Sequence, residues 1–272
     1  MRLWMVSLAT LILVKWAAAA PLSLQEVNTA QWVGRPGGAG TASPILIKAQ
    51  VLLDRAHFSP GEIDGKAGDN FRKAITAFST ARGLKSGGEL SEAIWGELAG
   101  TSSAPAMTEY TISNEDVRGP FLHDVPTNLE KMKGLPRLSY KGAREKLAEK
   151  FHMSEDLLQM LNPGKKFDVA GENIVVANVE TVSFPGKVAR IEVDKSVQEL
   201  KVFGRDQQLL AVYPATVGSQ EKPAPTGRLT VTGISKNPTY RYNPKYAFKG
   251  VHAKEPFTIN PGPNNPVGVV WI

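Results

Sequence analysis

Very little in this chain's side-chain inventory can act as a nucleophile or a metal ligand. Its 272 residues contain no cysteine, which removes thiolate attack, thiolate metal sites and disulfides together. The four histidines, His57, His123, His152 and His252, are too scattered in sequence to suggest a metal site. Ser219 and Ser235 are hydroxyl candidates, but no motif couples either to a histidine, and an uncoupled serine is a weak nucleophile. His252 follows Gly250 in a loop and reads as a surface histidine. Asp64-Gly65 is primarily a turn device, because glycine reaches positive φ and aspartate bonds nearby backbone amides. Asp64 remains a candidate for touching a ligand. No cofactor is implied by any of these residues.

The elements that would position such groups fall into three stretches. Ser43-Pro44 starts a helix, a hydroxyl cap followed by proline at the first helical position. Ile45, Leu46, Ala49, Leu52, Leu53 and Ala56 then recur at helical spacing and give one apolar face. A second helix carries Phe71, Ala74, Ile75 and Phe78 and ends at Gly83. Ser91 caps a third with Ile94, Trp95 and Leu98, where Trp95 reads as packing. Residues 21–43, ending in the glycine-rich Gly34 to Gly40, read as a linker, and 101–138 as a second linker with a short strand at Tyr110-Thr111-Ile112. Beyond it, Ala143, Leu147, Ala148 and Phe151 make one helical face. Ser154 caps another helix with Leu157, Leu158 and Leu161, ended by Asn162-Pro163-Gly164, and Ile174-Val175-Val176 is a strand. After Phe184-Pro185-Gly186 the period changes from helical to alternating. Ala189 to Asp194, Glu199 to Phe203 and Leu209 to Val217 form a strand meander turning at Gly204, and Val267 to Ile272 reads as the start of a buried strand.

The first twenty residues carry an export pattern: Arg2, an apolar run from Leu3 to Val14 broken only by Ser7 and Thr10, and small residues at Ala17 to Ala20. Cutting after Ala19 is favoured over Ala20, because Pro21 would follow the second bond directly. An uncleaved membrane anchor is the alternative. Loss of Arg2 and Lys15 would lower the formal charge from +6 to +4, suited to an anionic wall or membrane environment. No Lys/Arg stripe interleaves with aromatics, so nucleic acid is not expected as a partner.

Three resemblances rest on these residues. Gln50, Leu53, Gly61-x-Ile63-Asp64-Gly65, Gly68, Ala74, Phe78, Gly83-Leu84, Trp95 and Leu98 resemble the three-helix peptidoglycan-binding domain of cell-wall hydrolases. Phe71 and Ser79 depart from it, where threonine and glutamine are usual. Leu147-Ala148-x-x-Phe151, Ser154, Leu157-Leu158 and Leu161-Asn162-Pro163 look like LysM, a strand–helix–helix–strand module binding N-acetylglucosamine-containing glycans. Its first strand must come from Leu138-Ser139-Tyr140 or from the distant Tyr110 segment; a generic helical hairpin is the alternative. Ile191-x-Val193, Leu200-x-Val202, Tyr213 to Gly218, Pro225-Thr226-Gly227 and Gly262-Pro263-Asn264-Asn265-Pro266-Val267-Gly268 resemble, in order, the first half of an L,D-transpeptidase (YkuD-like) catalytic domain.

These resemblances imply a multidomain α+β chain: signal peptide 1–20, linker 21–43, peptidoglycan-binding domain 44–100, linker 101–138, LysM-like unit 139–180 and an incomplete mostly-β catalytic domain 187–272. They imply a periplasmic or cell-wall protein with peptidoglycan as partner, and an outer-membrane lipoprotein as a further acceptor. Asp64 and Asn162 are the implied peptidoglycan-binding residues. The family's cysteine and histidine are expected beyond Ile272, so no catalytic residue is assigned, and the chain as written is expected to be inactive. A non-catalytic peptidoglycan-binding protein with a degenerate third domain is the alternative, and a hydrolase of the same cross-links shares the fold.

Overall fold

The structure, a computed structural model, describes residues 22–34, 40–179, 183–218 and 223–272. The export pattern at 1–20, most of the glycine-rich stretch and Ser219 lie outside the described residues. Helix α1 (Leu24–Thr29) falls inside the segment expected as a linker. Ser23 and Glu26 form a reciprocal capping box at its start, and Val27 is fully buried. The linker reading is therefore corrected for 23–30. The Ser23-x-x-Glu26 pair is the start signal that marks this helix in the sequence.

Helices α2 (Pro44–Arg55), α3 (Asp69–Ala81) and α4 (Glu92–Ala99) form the expected bundle. Leu46, Leu53, Ile75, Phe78, Ile94 and Leu98 close its core, and Trp95 is buried among them. Nine of the twelve residues of α2 are buried, so it has no solvent face of ordinary width. Ile45, Leu46, Ala49, Leu52 and Leu53 face the bundle, while Ile47 and Val51, one turn apart, join a second core.

That second core belongs to the helix-hairpin unit. Strand β1 (Met107–Thr111) pairs antiparallel with β2 (Asn173–Ala177), with Met107 opposite Ala177. Between them in sequence lie two single-turn helices, α5 (Asn114–Val117) and α6 (Leu129–Met132), then α7 (Ala143–Lys150) and α8 (Glu155–Leu161). The Tyr110 segment thus supplies the first strand, and the unit begins near 107 rather than 139. Leu147, Leu157, Leu158, Phe167, Ile174 and Val176 pack with Val27, Ile47, Val51 and Ile63. A bridge reinforces the junction: Ile63 N donates to His152 O (2.8 Å) and Ser154 N to Ile63 O (3.0 Å). Buried Arg55 adds a polar pin, donating to the carbonyls of Asn178, Ala104 and Pro105.

The C-terminal region carries an antiparallel meander, β3 (Arg190–Asp194), β4 (Glu199–Phe203) and β5 (Leu209–Pro214), as expected. The bundle covers the β5 edge, with Ser59 N donating to Val212 O and Val212 N to His57 O. Further on, β6 (Ser235–Lys236) pairs with β9 (Val270–Trp271), and β7 (Tyr240–Tyr242) with β8 (Phe257–Ile259). Val267 to Ile272 is not a buried strand: only Val270–Trp271 is extended, and Trp271 is 57% exposed. Its described strand partner is two residues long, and Val269, Val270, Trp271 and Ile272 are all exposed.

The second expected linker is also corrected. Residues 122–138 contribute Leu122, Val125, Leu129, Met132, Leu135 and Leu138 to a third core with Tyr242, Phe257 and Ile259.

Ile63, from the segment between α2 and α3, buries its side chain fully in the hairpin unit's core, so Ile63→Ala should cost about 2–5 kcal/mol. In urea unfolding, a bundle probe at Trp95 and a hairpin-unit probe at Tyr110 should shift together. A shift confined to the Tyr110 probe would mean the two cores melt independently.

Candidate functional site

Asp64 sits in a turn built around Gln50, a side chain of α2 that is 1% exposed. The Gln50 amide donates to Asp64 Oδ1 (2.8 Å) and Lys66 O (3.2 Å), and its oxygen accepts from Asp64 N (3.1 Å) and Gly65 N (2.7 Å). Asp64 Oδ1 also accepts from Lys66 N at 2.8 Å. Gly65 has φ +75°, and a Cβ there would lie 2.8 Å from Ile47 Cγ1, so only glycine lets the turn sit on α2. The turn reading of Asp64-Gly65 therefore holds. Asp64 Oδ2 has no hydrogen-bond partner among the described residues. It belongs to the lining of an open cleft of about 510 Å³, with Gln50, Glu62, Lys66, Asp69 and Asn70.

Asn162 is differently placed. It is 4% exposed, and its amide donates to Leu158 O and Val175 O, both at 2.8 Å, while its oxygen accepts from Val175 N at 2.6 Å. The side chain clamps the end of α8 to β2 and touches a smaller cleft of about 220 Å³ with Glu109 and Lys165. Both amide donors are already used, so recognition there falls to its neighbours.

In the C-terminal region the glycine–proline segment makes its own scaffold. Buried Asn265 donates to Asn260 O (2.8 Å) and accepts from Val267 N (3.0 Å), and its carbonyl accepts from Gly268 N (2.8 Å). Asn264 reaches outward, donating to Ser139 O at 2.9 Å. Lys195, in the β3–β4 turn, donates to Ala224 O (3.1 Å) and Thr226 Oγ1 (2.6 Å), tying the meander to Pro225-Thr226-Gly227. No serine hydroxyl is hydrogen-bonded to a histidine among the described residues. Nor do those residues hold a cluster of three or more His, Asp or Glu that could bind a metal. Ser235 is exposed opposite Trp271, and His252 engages through its backbone N–H, which donates to Glu130 Oε1.

Charge is segregated. Residues 187–272 hold twelve Lys/Arg against six Asp/Glu, so the whole formal excess of +6 lies there. From 222 to 254 there are seven Lys/Arg and no acid. Arg228, Lys236, Arg241, Lys245, Lys249 and Lys254 are exposed, and none has an ion pair among the described residues. In the N-terminal part several ions are paired, among them Arg144 with Glu155, Lys150 with Asp116 and Lys165 with Glu172. Burial would raise the carboxyl of Asp116, yet hydrogen bonds from Tyr110, Lys150 and Ser113 hold it well below the usual range. His152 Nδ1 lies 2.8 Å from Asp54 Oδ2, joining the hairpin unit to α2. That hydrogen bond raises the imidazole pKa, against an opposing desolvation.

Residues 188–269 match the family model of the YkuD L,D-transpeptidase catalytic domain. The matched span runs from just before β3 to just before β9, within the bounds expected from the sequence. No curated protein matches the chain. Sequence reasoning had noticed Gln50 only as a motif position. Its place at helical spacing between Leu46, Ile47 and Leu53 was the signal for a polar clamp. Arg55, at the end of the same helix, escaped notice because its acceptors are carbonyls about fifty and more residues away.

Two expectations follow. Asn162→Ala leaves the Val175 N–H and O and the Leu158 carbonyl without their partner and should cost about 1–3 kcal/mol, read as a lowered urea midpoint. The His152–Asp54 contribution is fully present below the ordinary histidine pKa of about 6.5 and fades as pH rises through the raised folded value. The stability gap between the wild type and His152→Asn should therefore be larger near about pH 5.5 than near about pH 8.5.

Proposed function

We propose that this chain is an exported, peptidoglycan-directed protein of the L,D-transpeptidase class, working in the periplasm or cell wall. The observation that carries this reading is the match of residues 188–269 to the L,D-transpeptidase catalytic domain. The cationic C-terminal region supports it, since peptide stems carry free carboxylates that such a surface attracts over long range. In the N-terminal body, the cleft at Asp64 and the smaller one beside Asn162 are the places where stem or glycan would seat, with Asp64 Oδ2 as an acceptor for an amide or hydroxyl. The bundle and hairpin unit act as the wall-binding part, and α2 contributes to the cores of both, which holds their two clefts together.

The reaction of the class is acyl transfer between stem peptides, or from a stem to a lipoprotein amine, and it requires a cysteine thiolate, a base and oxyanion donors. The 272 residues contain no cysteine. That observation favours a second reading for this polypeptide, a non-catalytic wall binder whose third domain contributes surface and not chemistry. A cross-link hydrolase on the same fold would need the same nucleophile.

The purified chain should sediment with peptidoglycan sacculi at low salt and be progressively released as salt rises, because the cationic face contributes by screened attraction. A chain that stays in the supernatant at low salt would refute wall binding. Release of D-alanine from a tetrapeptide stem by the same chain should be lower by several orders of magnitude than that of a cysteine-bearing L,D-transpeptidase, since only binding terms remain. Comparable turnover would mean that a residue dismissed above, Ser235 first, acts as the nucleophile.

A further inference from the structure

Residues 122–140 leave the hairpin unit between β1 and α7, and none of their side chains enters that unit's core. Leu122 N donates to Tyr140 O at 2.8 Å, so the segment closes on itself as a loop with neighbouring ends. Its apolar side chains, Leu122, Val125, Leu129, Met132, Leu135 and Leu138, all pack beneath the β7–β8 hairpin. Its polar groups grip the 243–265 loops from the same side. Asn128 Nδ2 donates to Gly250 O (3.0 Å), Glu130 Oε1 accepts from His252 N (2.9 Å), and Leu135 O accepts from Asn260 Nδ2 (2.9 Å). Leu138 exchanges backbone bonds on both sides of the glycine–proline motif, its N–H donating to Pro261 O (3.1 Å) and its carbonyl accepting from Asn264 N (3.0 Å).

Gly262 shows how close this approach is. A Cβ built there would lie 2.1 Å from Leu138 O and 2.8 Å from Leu138 N, inside any tolerable contact with rigid backbone. The glycine of the Gly-Pro-x-Asn-Pro-x-Gly motif is therefore demanded, in this chain, by a segment more than a hundred residues earlier. Asn264 extends the link to α7 itself, donating to Ser139 O and, at 3.4 Å, to Glu145 Oε2.

We infer that residues 122–140 are a positioning strap for the 243–265 loops, so that the C-terminal domain is built from 122–140 together with 187–272. Asn128, Glu130 and Leu138 are positioning residues, acting through Gly250, His252 and the Gly262–Asn264 backbone. The strap is inserted in the wall-binding unit and ends at α7, so whatever orients that unit also orients these loops. The inference rests on the transpeptidase reading in one respect only: that reading makes the gripped loops part of the domain facing the stem.

The test is hydrogen exchange on the full chain. Glu130→Ala removes the acceptor for His252 N–H and should speed exchange of that amide about tenfold, with β1 and β2 amides unchanged. Glu130→Gln keeps an acceptor oxygen and should restore protection, which an effect of charge alone would not do. Gly262→Ala should loosen the whole 243–265 span. If that variant fails to fold, Asn128→Ala, which frees Gly250 O, still carries the test. Unchanged exchange at His252 in Glu130→Ala, or equal loss in Glu130→Ala and Glu130→Gln, would overturn the strap. Sacculus sedimentation of the same samples separates the two ideas. Loss of loop protection without any wild-type sedimentation would leave the strap standing and the peptidoglycan reading refuted.

Discussion

Helix α2 is the constraint on which the rest of the structure depends. With nine of its twelve residues buried, it cannot belong to one core alone. One side closes the three-helix bundle, and Ile47 and Val51 on the other side close the hairpin unit. Its polar residues are committed as well: Gln50 shapes the Asp64 turn, Arg55 fixes the entry to β1 and the exit from β2, and Lys48 donates to the end of α1 at Asn28 O and Ala30 O. Burial of Gln50 and Arg55 is tolerable only because each meets hydrogen-bond partners. Removing α2 from either neighbour would leave both an apolar stripe and unsatisfied polar atoms.

Much of this could be read from residues in order. The helices at 44–55, 69–81, 92–99, 143–150 and 155–161 follow from apolar spacing and from the capping hydroxyls of Ser91 and Ser154, which is local physics, whereas Ser43 stands at the start of α2 without the side-chain cap bond expected of it. The alternating meander at 190–214 is equally local. What escaped was nonlocal. Ile47 and Val51 form a second stripe that the reading of one apolar face passed over, although an all-round apolar helix announces two neighbours. Segment 122–138 looked like linker because its leucines and prolines have neither period. They are placed by the β7–β8 hairpin, about 120 residues later. Val267–Ile272 looked buried by composition, yet burial needs a partner surface, and its described strand pairing is only two residues long.

The candidate site was legible in the same uneven way. The glycine–proline motifs of the C-terminal region gave the domain and its bounds, because turns and close approaches leave strong marks in sequence. Asp64 was correctly seen as a turn residue, and the open cleft beside it needed coordinates to appear. Asn162 was singled out as a wall contact, whereas its side chain is engaged on both faces in clamping α8 to β2. A buried asparagine at a helix end serves the backbone first, and sequence alone does not say how many of its bonds are taken.

A chain assembled from three borrowed-looking modules therefore behaves as one body, in which α2 and the 122–140 strap join what the motifs would separate. Residual dipolar couplings on the full chain test this claim most directly. Amides of 44–100, of 107–111 with 143–177, and of 240–259 should all fit a single alignment tensor. Separate tensors of differing magnitude or orientation for the bundle and the hairpin unit would contradict it, and would return the molecule to independent modules on flexible connections.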